Sequence, residues 1–337
     1  MENLQNGFGV SSVRNLIVNE AISNYKIGSF IDISENKVGS NVHYVLNTSK
    51  GKYFIKILDC NNENIHMEDE IIVCNTLKKS GMNAIPNYVS KNVGGYLTQI
   101  DDCTFFNIQQ FIEGETWAKY QAPDLLLFVG VDFIADVHNK LKDIKLKQRP
   151  AIMRINNISA CLNKLSEIEN SIIKIKKSNS IDFLLNDIAL RRNILNNHKY
   201  IDLNKLTLVN GHSDYTITQV ISRKKSLVGI IDFSEVSNIP AIWEIMRFYI
   251  NSAPECKEQR IDKNKFEKYI KTYTDKVKLN EYDKEMLFTF SLCYSAQALS
   301  VYEKLLKKQS QMQRYIDRIV SRNNRIMCLQ NMFKIYV

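Results

Sequence analysis

No stretch of this sequence approaches the roughly 20 apolar residues of a membrane span. No basic segment followed by an apolar run opens it either. Its most apolar helical segment, Leu125–Val137, is broken by Asp132 and Asp136. The chain therefore reads as soluble and cytoplasmic. Its seven cysteines (Cys60, Cys74, Cys103, Cys161, Cys256, Cys293 and Cys328) are odd in number and scattered. With no Cys-x-x-Cys and no Cys/His cluster they suggest neither a zinc site nor a disulfide framework, and they read as buried or half-buried reduced thiols. His43, His66, His138 and His198 are isolated, with no pair at metal-ligand spacing, and read as surface or packing residues. Internal repeats, low-complexity linkers and a Walker-type phosphate loop are all missing.

Charge is not lacking, but it is not organised. The net charge is +9, from 45 Lys and Arg against 36 Asp and Glu. Such an excess can mark a nucleic-acid or anionic-surface partner. Here the basic residues are spread along the chain rather than blocked, so neither a nucleic-acid nor a membrane partner is indicated, and Lys304, Lys307 and Lys308 read as a solvated helix face. A content of 45% hydrophobic and 24% charged residues is globular, and 337 residues suit two packed lobes. Oligomeric state is left open.

The first lobe, residues 1–112, reads as β-rich. Val42–Leu46 and Tyr53–Leu58 are β-prone runs joined through the turn-forming Ser49-Lys50-Gly51. Met67–Lys79 carries apolar residues at helical intervals and ends at Ser80–Gly81, where Gly81 suits a C-cap. Tyr96–Ile100 and Phe105–Ile112 are further strands. Glu113–Gly114 marks the change to a mainly helical second lobe, residues 113–337. There Asp124 suits a cap for a helix with Leu126, Val129, Phe133, Val137 and Leu141 on one face. Residues 159–197 read as one or two helices, and Leu287, Phe290, Tyr294, Ala298, Val301 and Leu305 form one apolar stripe that reads as core packing.

The chemistry concentrates in a β insert at Thr207–Phe233. His212-Ser213-Asp214 closes the apolar run Leu206–Val209, and after a polar hairpin Ile230-Ile231 leads into Asp232-Phe233. A carboxylate on a short loop, then a hairpin, then a carboxylate at a strand end is what phosphoryl transfer from ATP needs. One Asp accepts the proton of the attacking hydroxyl and the other holds the metal that bridges the phosphates. His212 suits a hydrogen bond that holds the loop, and Asp232 offers the oxygen ligand that Mg²⁺ favours.

Val209–Val220 (VNGHSDYTITQV) and Gly229–Phe248 (GIIDFSEVSNIPAIWEIMRF) resemble the catalytic core of the aminoglycoside phosphotransferase and choline-kinase-like superfamily, which includes type II homoserine kinases and CotS-like kinases. The usual motif is His-Gly-Asp, an Asn five residues after the Asp, then Ile-Asp-Phe. Ser213 stands here in place of the Gly, and Gln219 in place of the metal-binding Asn. The resemblance implies an α+β, bilobal, protein-kinase-like fold with ATP and Mg²⁺ in the inter-lobe cleft. It implies that Lys56, in the strand Tyr-Phe-Ile-Lys-Ile, meets the α- and β-phosphates and is held by Glu70, with Glu68 as the alternative. Ser34–Asn41 occupies the place of the phosphate-covering loop, with Ser40 touching phosphate, and the backbone of Gln110 and Ile112 falls where the hinge meets adenine. Asp214 is the implied base, Asp232 and Gln219 the implied metal ligands. Glu244 and Arg247 fall where they would tie a helix to the catalytic loop.

The reaction so implied moves the γ-phosphoryl group of ATP to a hydroxyl of a small molecule such as an antibiotic, a sugar or an amino alcohol. Glu255, Glu258, Asp262 and Glu267 are intermixed with Lys and Arg, which disfavours a polycationic aminoglycoside. The departure at Gln219 and the poor phosphate loop keep a second class open: a catalytically impaired kinase fold serving as a binding or structural protein, such as a spore-coat component.

Overall fold

The computed structural model describes residues 10–38, 41–59, 67–175 and 180–336. Two compact units divide the chain: Met1–Thr116 with Gln219–Val236, and Trp117–Thr218 with Ser237–Val337.

The first unit is built on a five-stranded antiparallel sheet. Its strands are β1 (Phe30–Val38), β2 (Asn41–Thr48), β3 (Gly51–Asp59), β4 (Thr98–Gln99) and β5 (Thr104–Gln110), in the order β1-β2-β3-β5-β4. Ser34–Val38 are therefore strand residues rather than loop. Gly39 and Ser40, expected at phosphate, lie outside the described residues. A helix not anticipated from the sequence, α1 (Val10–Asn24), places Ile17 and Ala21 in a core with Ile33, Leu46, Ile55 and Phe106. Helix α2 spans Met67–Lys79 as the periodicity indicated. Its end is set by Gly81, at φ +87°: Gly81 N–H donates to Lys78 O and Met82 N–H to Leu77 O, the paired bonds that close a helix through a left-handed residue.

A single cut at residue 112 does not describe this unit. Strand β6 (Glu115–Thr116) pairs with β8 (Val220–Arg223), which pairs with β9 (Ser226–Ile230). Ile230 N–H also donates to Ala84 O at 2.9 Å. Strand edges need partners, and these pairings place the β8–β9 hairpin in the first unit.

The second unit is helical: α3 (Asp124–Lys140), α4 (Pro150–Met153), α5 (Ile158–Ile173), α6 (Ser180–Asn196), α7 (Ala241–Ser252), α8 (Lys263–Thr274), α9 (Glu281–Gln297), α10 (Ser300–Lys307) and α11 (Met312–Tyr336). Among its described residues a small sheet pairs β7 (Leu208–Gly211) with β10 (Ser237–Pro240). Leu126, Val137 and Leu141 of the expected face of α3 are buried, whereas Val129 and Phe133 are half-buried, and the buried surface extends to Leu127, Val131, Ile134 and His138. Asp124 is the first helical residue rather than the cap, and its carboxylate pairs with Lys265 at 2.7 Å. The stripe from Leu287 to Leu305 is interrupted between α9 and α10, where the Ala298 carbonyl accepts from Arg322. Among the described residues no helix is long and apolar enough to cross a membrane. The six described cysteines are free thiols.

A fully buried ion pair joins four of these helices. Asp187 and Arg191 on α6 meet at 2.6 Å with neither side chain exposed. Asp187 also accepts from Tyr302 of α10 and Asn323 of α11, and Arg191 donates to Ser295 O and Ala296 O of α9. Removing one buried partner strands the other charge, at a cost of about 3–5 kcal/mol, whereas replacing both with apolar groups is often nearly neutral. Asp187→Ala should therefore destabilise the protein by about that amount in urea titrations, and Asp187→Leu with Arg191→Met should cost less than Asp187→Ala alone.

Candidate functional site

In the first unit Lys56 is the centre of a charge cluster. Strand β3 carries it opposite Asn107 of β5, and its side chain is only 9% exposed. Its ammonium donates to both Glu70 oxygens, at 2.8 and 3.0 Å, and to Asp232 Oδ1 at 2.8 Å. Burial alone would lower the Lys56 pKa, but the Glu70 and Asp232 carboxylates raise it above the usual lysine range, so the group stays charged. Glu70 is buried on the inner face of α2, while Glu68 is exposed. The expected pair is thus Lys56 with Glu70. Asp232 follows β9 in a left-handed conformation, φ +67°, which Asp tolerates better than most residues. It is half-exposed, and its Oδ1 also accepts from Ser234 Oγ at 2.9 Å.

Gln219 lies beside this cluster through backbone pairing. Its carbonyl accepts from Ile231 N–H at 3.0 Å, immediately before the register of β8 on β9 begins. Among the described residues no group of three or more His, Cys, Asp or Glu side chains is arranged to hold a metal. Asp232, bonded to Lys56, and Gln219, placed by its backbone beside Ile231, are the two residues expected at a metal. Both are oxygen donors of the kind Mg²⁺ takes, usually with phosphates and water completing the shell.

In the second unit, β7 delivers the loop His212-Ser213-Asp214, and the buried Glu244 of α7 organises it. The Glu244 carboxylate accepts from His212 N–H at 3.1 Å and Ser213 N–H at 2.5 Å, and it contacts His138 Nε2 at 2.7 Å. Burial would raise the Glu244 pKa, but these partners more than reverse it and hold the group as a carboxylate. His138 is anchored from its other nitrogen by Tyr273 at 2.8 Å. Gly211 is required beneath this arrangement, because a Cβ there would fall on the Glu244 carboxylate and 2.8 Å from Ile239 Cδ1. Ser213 sits at φ +64°, the conformation that favours the Gly of the usual motif. It is kept there by its bond to Glu244 and by Ser237 Oγ at 2.6 Å. His212 is fully buried, and its Nδ1 accepts from Asp214 N–H at 3.3 Å. Asp214 is about one-third exposed and ion-paired with Arg247.

Gln110 and Ile112 lie elsewhere in the first unit, on a cavity of about 270 Å³ lined also by Asn87, Arg223 and Val228. None of Lys56, Glu70 and Asp232 lines it. Gln110 N–H is already given to Asn87 O and Phe111 N–H to Lys52 O. The weighed acids of the second unit are committed locally: Glu255 to Lys265 and Tyr249, Glu258 to Arg260, and Asp262 to the start of α8.

Several partners were not legible beforehand. His138 carried no spacing signal, since it meets Glu244 from a residue 106 positions away. Arg149, which donates to Ser213 O at 2.9 Å, and Lys119, Arg322 and Arg325 likewise come from separate segments. In a sequence this rich in Lys and Arg, individual basic residues do not stand out.

The fold is that of the aminoglycoside phosphotransferase and choline-kinase-like proteins. No family model and no curated protein matches this sequence, but solved structures do. The chain is similar to an amicoumacin kinase in complex with AMP-PNP, Ca²⁺ and Ami, at 11% identity and TM-score 0.63, over 94% of this chain and 95% of that one. It is similar to a spectinomycin phosphotransferase in complex with ADP and spectinomycin, at 14% identity and TM-score 0.60, over 95% and 94%. The choline kinase LicA from Streptococcus pneumoniae matches at 14% identity and TM-score 0.54, over 92% and 98%. At such identities the likeness is one of fold.

His43, on β2, gives the first unit a pH response. Its Nδ1 accepts from Ile57 N–H at 3.2 Å, and burial, assisted by the Lys56 ammonium, lowers its pKa to about 4. The unfolded chain takes up this proton near pH ~6.5 while the folded protein resists it to about 4. Stability should therefore fall as pH drops through that window. Urea titrations at neutral and acid pH should show a shallower fall for His43→Asn, whose amide oxygen can replace Nδ1 as acceptor.

Proposed function

We propose that this protein is an ATP-dependent phosphotransferase that moves the γ-phosphoryl group to a hydroxyl of a small molecule in the cytoplasm, a compartment suited to its free thiols. The observation that carries the reading is the Lys56 ammonium held between buried Glu70 and the strand-end Asp232. A lysine so fixed is a poor source of stability, because desolvation offsets most of the attraction. Its use is a charge held ready for phosphate. The complexes of the similar kinases with AMP-PNP and ADP support a nucleotide here.

In this reading the first unit binds the nucleotide and the second supplies the base and the acceptor site. Lys56, positioned by Glu70, meets the α- and β-phosphates. Ser40 serves the γ-phosphate side, and the Gln110 carbonyl and the Ile112 backbone serve adenine. Asp232 and Gln219 hold Mg²⁺, which when bound shields the phosphate charge. The Asp214 carboxylate orients the acceptor hydroxyl and takes its proton as the new O–P bond forms and the bond from γ-phosphorus to the bridging oxygen breaks, releasing ADP. Orientation matters more than basicity in such a loose transition state. His212 and Glu244 act on Asp214 only by fixing its loop.

A second reading, a kinase fold that binds without turnover, is favoured by one observation: Gln219 presents an amide one methylene longer than the Asn of the usual motif. The two readings separate in the test. ATP with Mg²⁺ at a hundredfold its Kd should add ~2.7 kcal/mol of stability, read as a rise in Tm. Coupled measurement of ADP release should then identify acceptors. Asp232→Ala should keep the fold, since the side chain is half-exposed, while lowering turnover by at least about a hundredfold. Nucleotide binding with no acceptor across a broad library of alcohols favours the second reading. No thermal shift with ATP, or wild-type turnover in Asp232→Ala, overturns the first.

A further inference from the structure

Four long cations gather around the proposed base, and carboxylates do not balance them. Lys119, in the turn before α3, and Arg325 of α11 both donate to Asn251 Oδ1, at 3.2 and 2.9 Å. Asn251 Nδ2–H donates to the Arg247 carbonyl at 2.7 Å. Arg322, one turn before Arg325 on α11, donates to the Ala298 carbonyl at 2.7 Å. Arg247 is the partner of Asp214, and its Nε is buried with no hydrogen-bond partner. Among the described residues, the side-chain partners of Lys119, Arg322 and Arg325 are thus neutral oxygens.

The electrostatics agree with this placement. Burial and then the charges of Arg325 and Arg247 lower the Lys119 pKa to about 7, with Asp214 opposing and Arg322 adding. Burial first, then neighbouring guanidinium groups, lower Arg322 and Arg325 to about 10. The contrast with Arg191 is instructive, because that buried guanidinium has its own Asp187. Clustered like charges, half withdrawn from water and outnumbering the one carboxylate, Asp214, described among them, raise the energy of the empty protein, and a bound anion relieves it. Guanidinium groups suit carboxylate and phosphate oxygens in particular. A cationic ligand would meet repulsion instead, and a long nucleic-acid backbone calls for an exposed basic stripe rather than a half-buried cluster.

We propose that the acceptor is an anionic alcohol, a small hydroxylated molecule whose carboxylate or phosphate is held by Lys119, Arg322 and Arg325 while its hydroxyl faces Asp214. The acceptor assignment rests on the phosphotransferase reading, and the bonds made and broken are those already described. The anion site itself does not depend on catalysis.

Isothermal titration and thermal shift on the full chain can use D-glycerate and glycerol 3-phosphate as probes. Glycerol serves as the neutral alcohol and choline as the cationic one, each with and without saturating AMP-PNP and magnesium. Both anions should bind and raise Tm, with AMP-PNP present as well as absent, while glycerol and choline do not. Lys119→Gln and Arg325→Gln should each weaken anion binding about tenfold, the loss expected for one charge-assisted hydrogen bond, and leave the AMP-PNP shift unchanged. Circular dichroism checks folding, and if Arg325→Gln does not fold, Lys119→Gln, in a turn, decides. Anion binding abolished by AMP-PNP would place the anions in the nucleotide phosphate site and overturn the proposal. So would a preference for choline, no response to either anion at millimolar concentration, or full affinity in the variants. An intact anion response without any AMP-PNP shift supports the anion site and refutes the kinase reading. An AMP-PNP shift without an anion response overturns the proposal alone.

Discussion

The buried carboxylate of Glu244 is the constraint on which the second unit turns. A charge withdrawn from water must be surrounded by donors, or it costs several kcal/mol. The donors here are the backbone N–H groups of His212 and Ser213 and the His138 ring. That requirement fixes the turn after β7, ties α3 and α7 to it, and through Tyr273 includes α8. It also dictates the absence of a side chain at Gly211 and maintains the left-handed backbone at Ser213. Asp214 follows this network in the same turn and is held further by its own bonds to His212 and Arg247.

The first unit applies the same physics with the opposite sign. There the withdrawn charge is the Lys56 ammonium, and the surrounding groups are carboxylates on α2 and after β9. Neither cluster is an efficient way to stabilise a fold, since apolar residues of similar volume commonly do as well. Both convert flexible polar side chains into groups at set positions, the condition under which electrostatics assists a reaction. The surrounding structure differs in kind. A sheet ladder and a helix hold Lys56, whereas a short loop between two β-strands holds Asp214. That loop depends on its buried anchor in a way a strand residue does not.

The resemblance to small-molecule kinases and the basic surroundings of Asp214 point to different scales of description. Fold similarity at identities such as 11 and 14% reaches the arrangement of elements and stops there. What an acceptor meets is decided by side chains that loops and terminal helices bring together. In the proposed anion site those are Lys119, Arg322 and Arg325, from two separate parts of the chain. The acids weighed from the sequence as a polycation site are each occupied by a neighbouring cation, phenol or helix end.

By itself the sequence determined the elements whose signals are local. Helix α2 and its stop at Gly81 follow from periodicity and a glycine able to take φ +87°. The strands around Lys56, and the order of His212, Asp214 and Asp232, follow from β-prone runs ended by polar residues. The Lys56–Glu70 pair was legible through the family resemblance, on a β-prone run and a helical periodicity that the sequence carries locally. Tertiary structure alone decided what depends on contacts distant in sequence: the helix α1 in the sheet core, the extension of the buried face of α3 to Leu127, Val131 and His138, the break before α10, and the pairing of β8 with β6. It also decided that His138 would be an anchor and that Lys119 and Arg325 would share one amide oxygen. The reason is physical. Periodicity records which face of an element avoids water, but a polar partner is selected by whichever buried charge happens to need it, and that need exists only once the chain has folded.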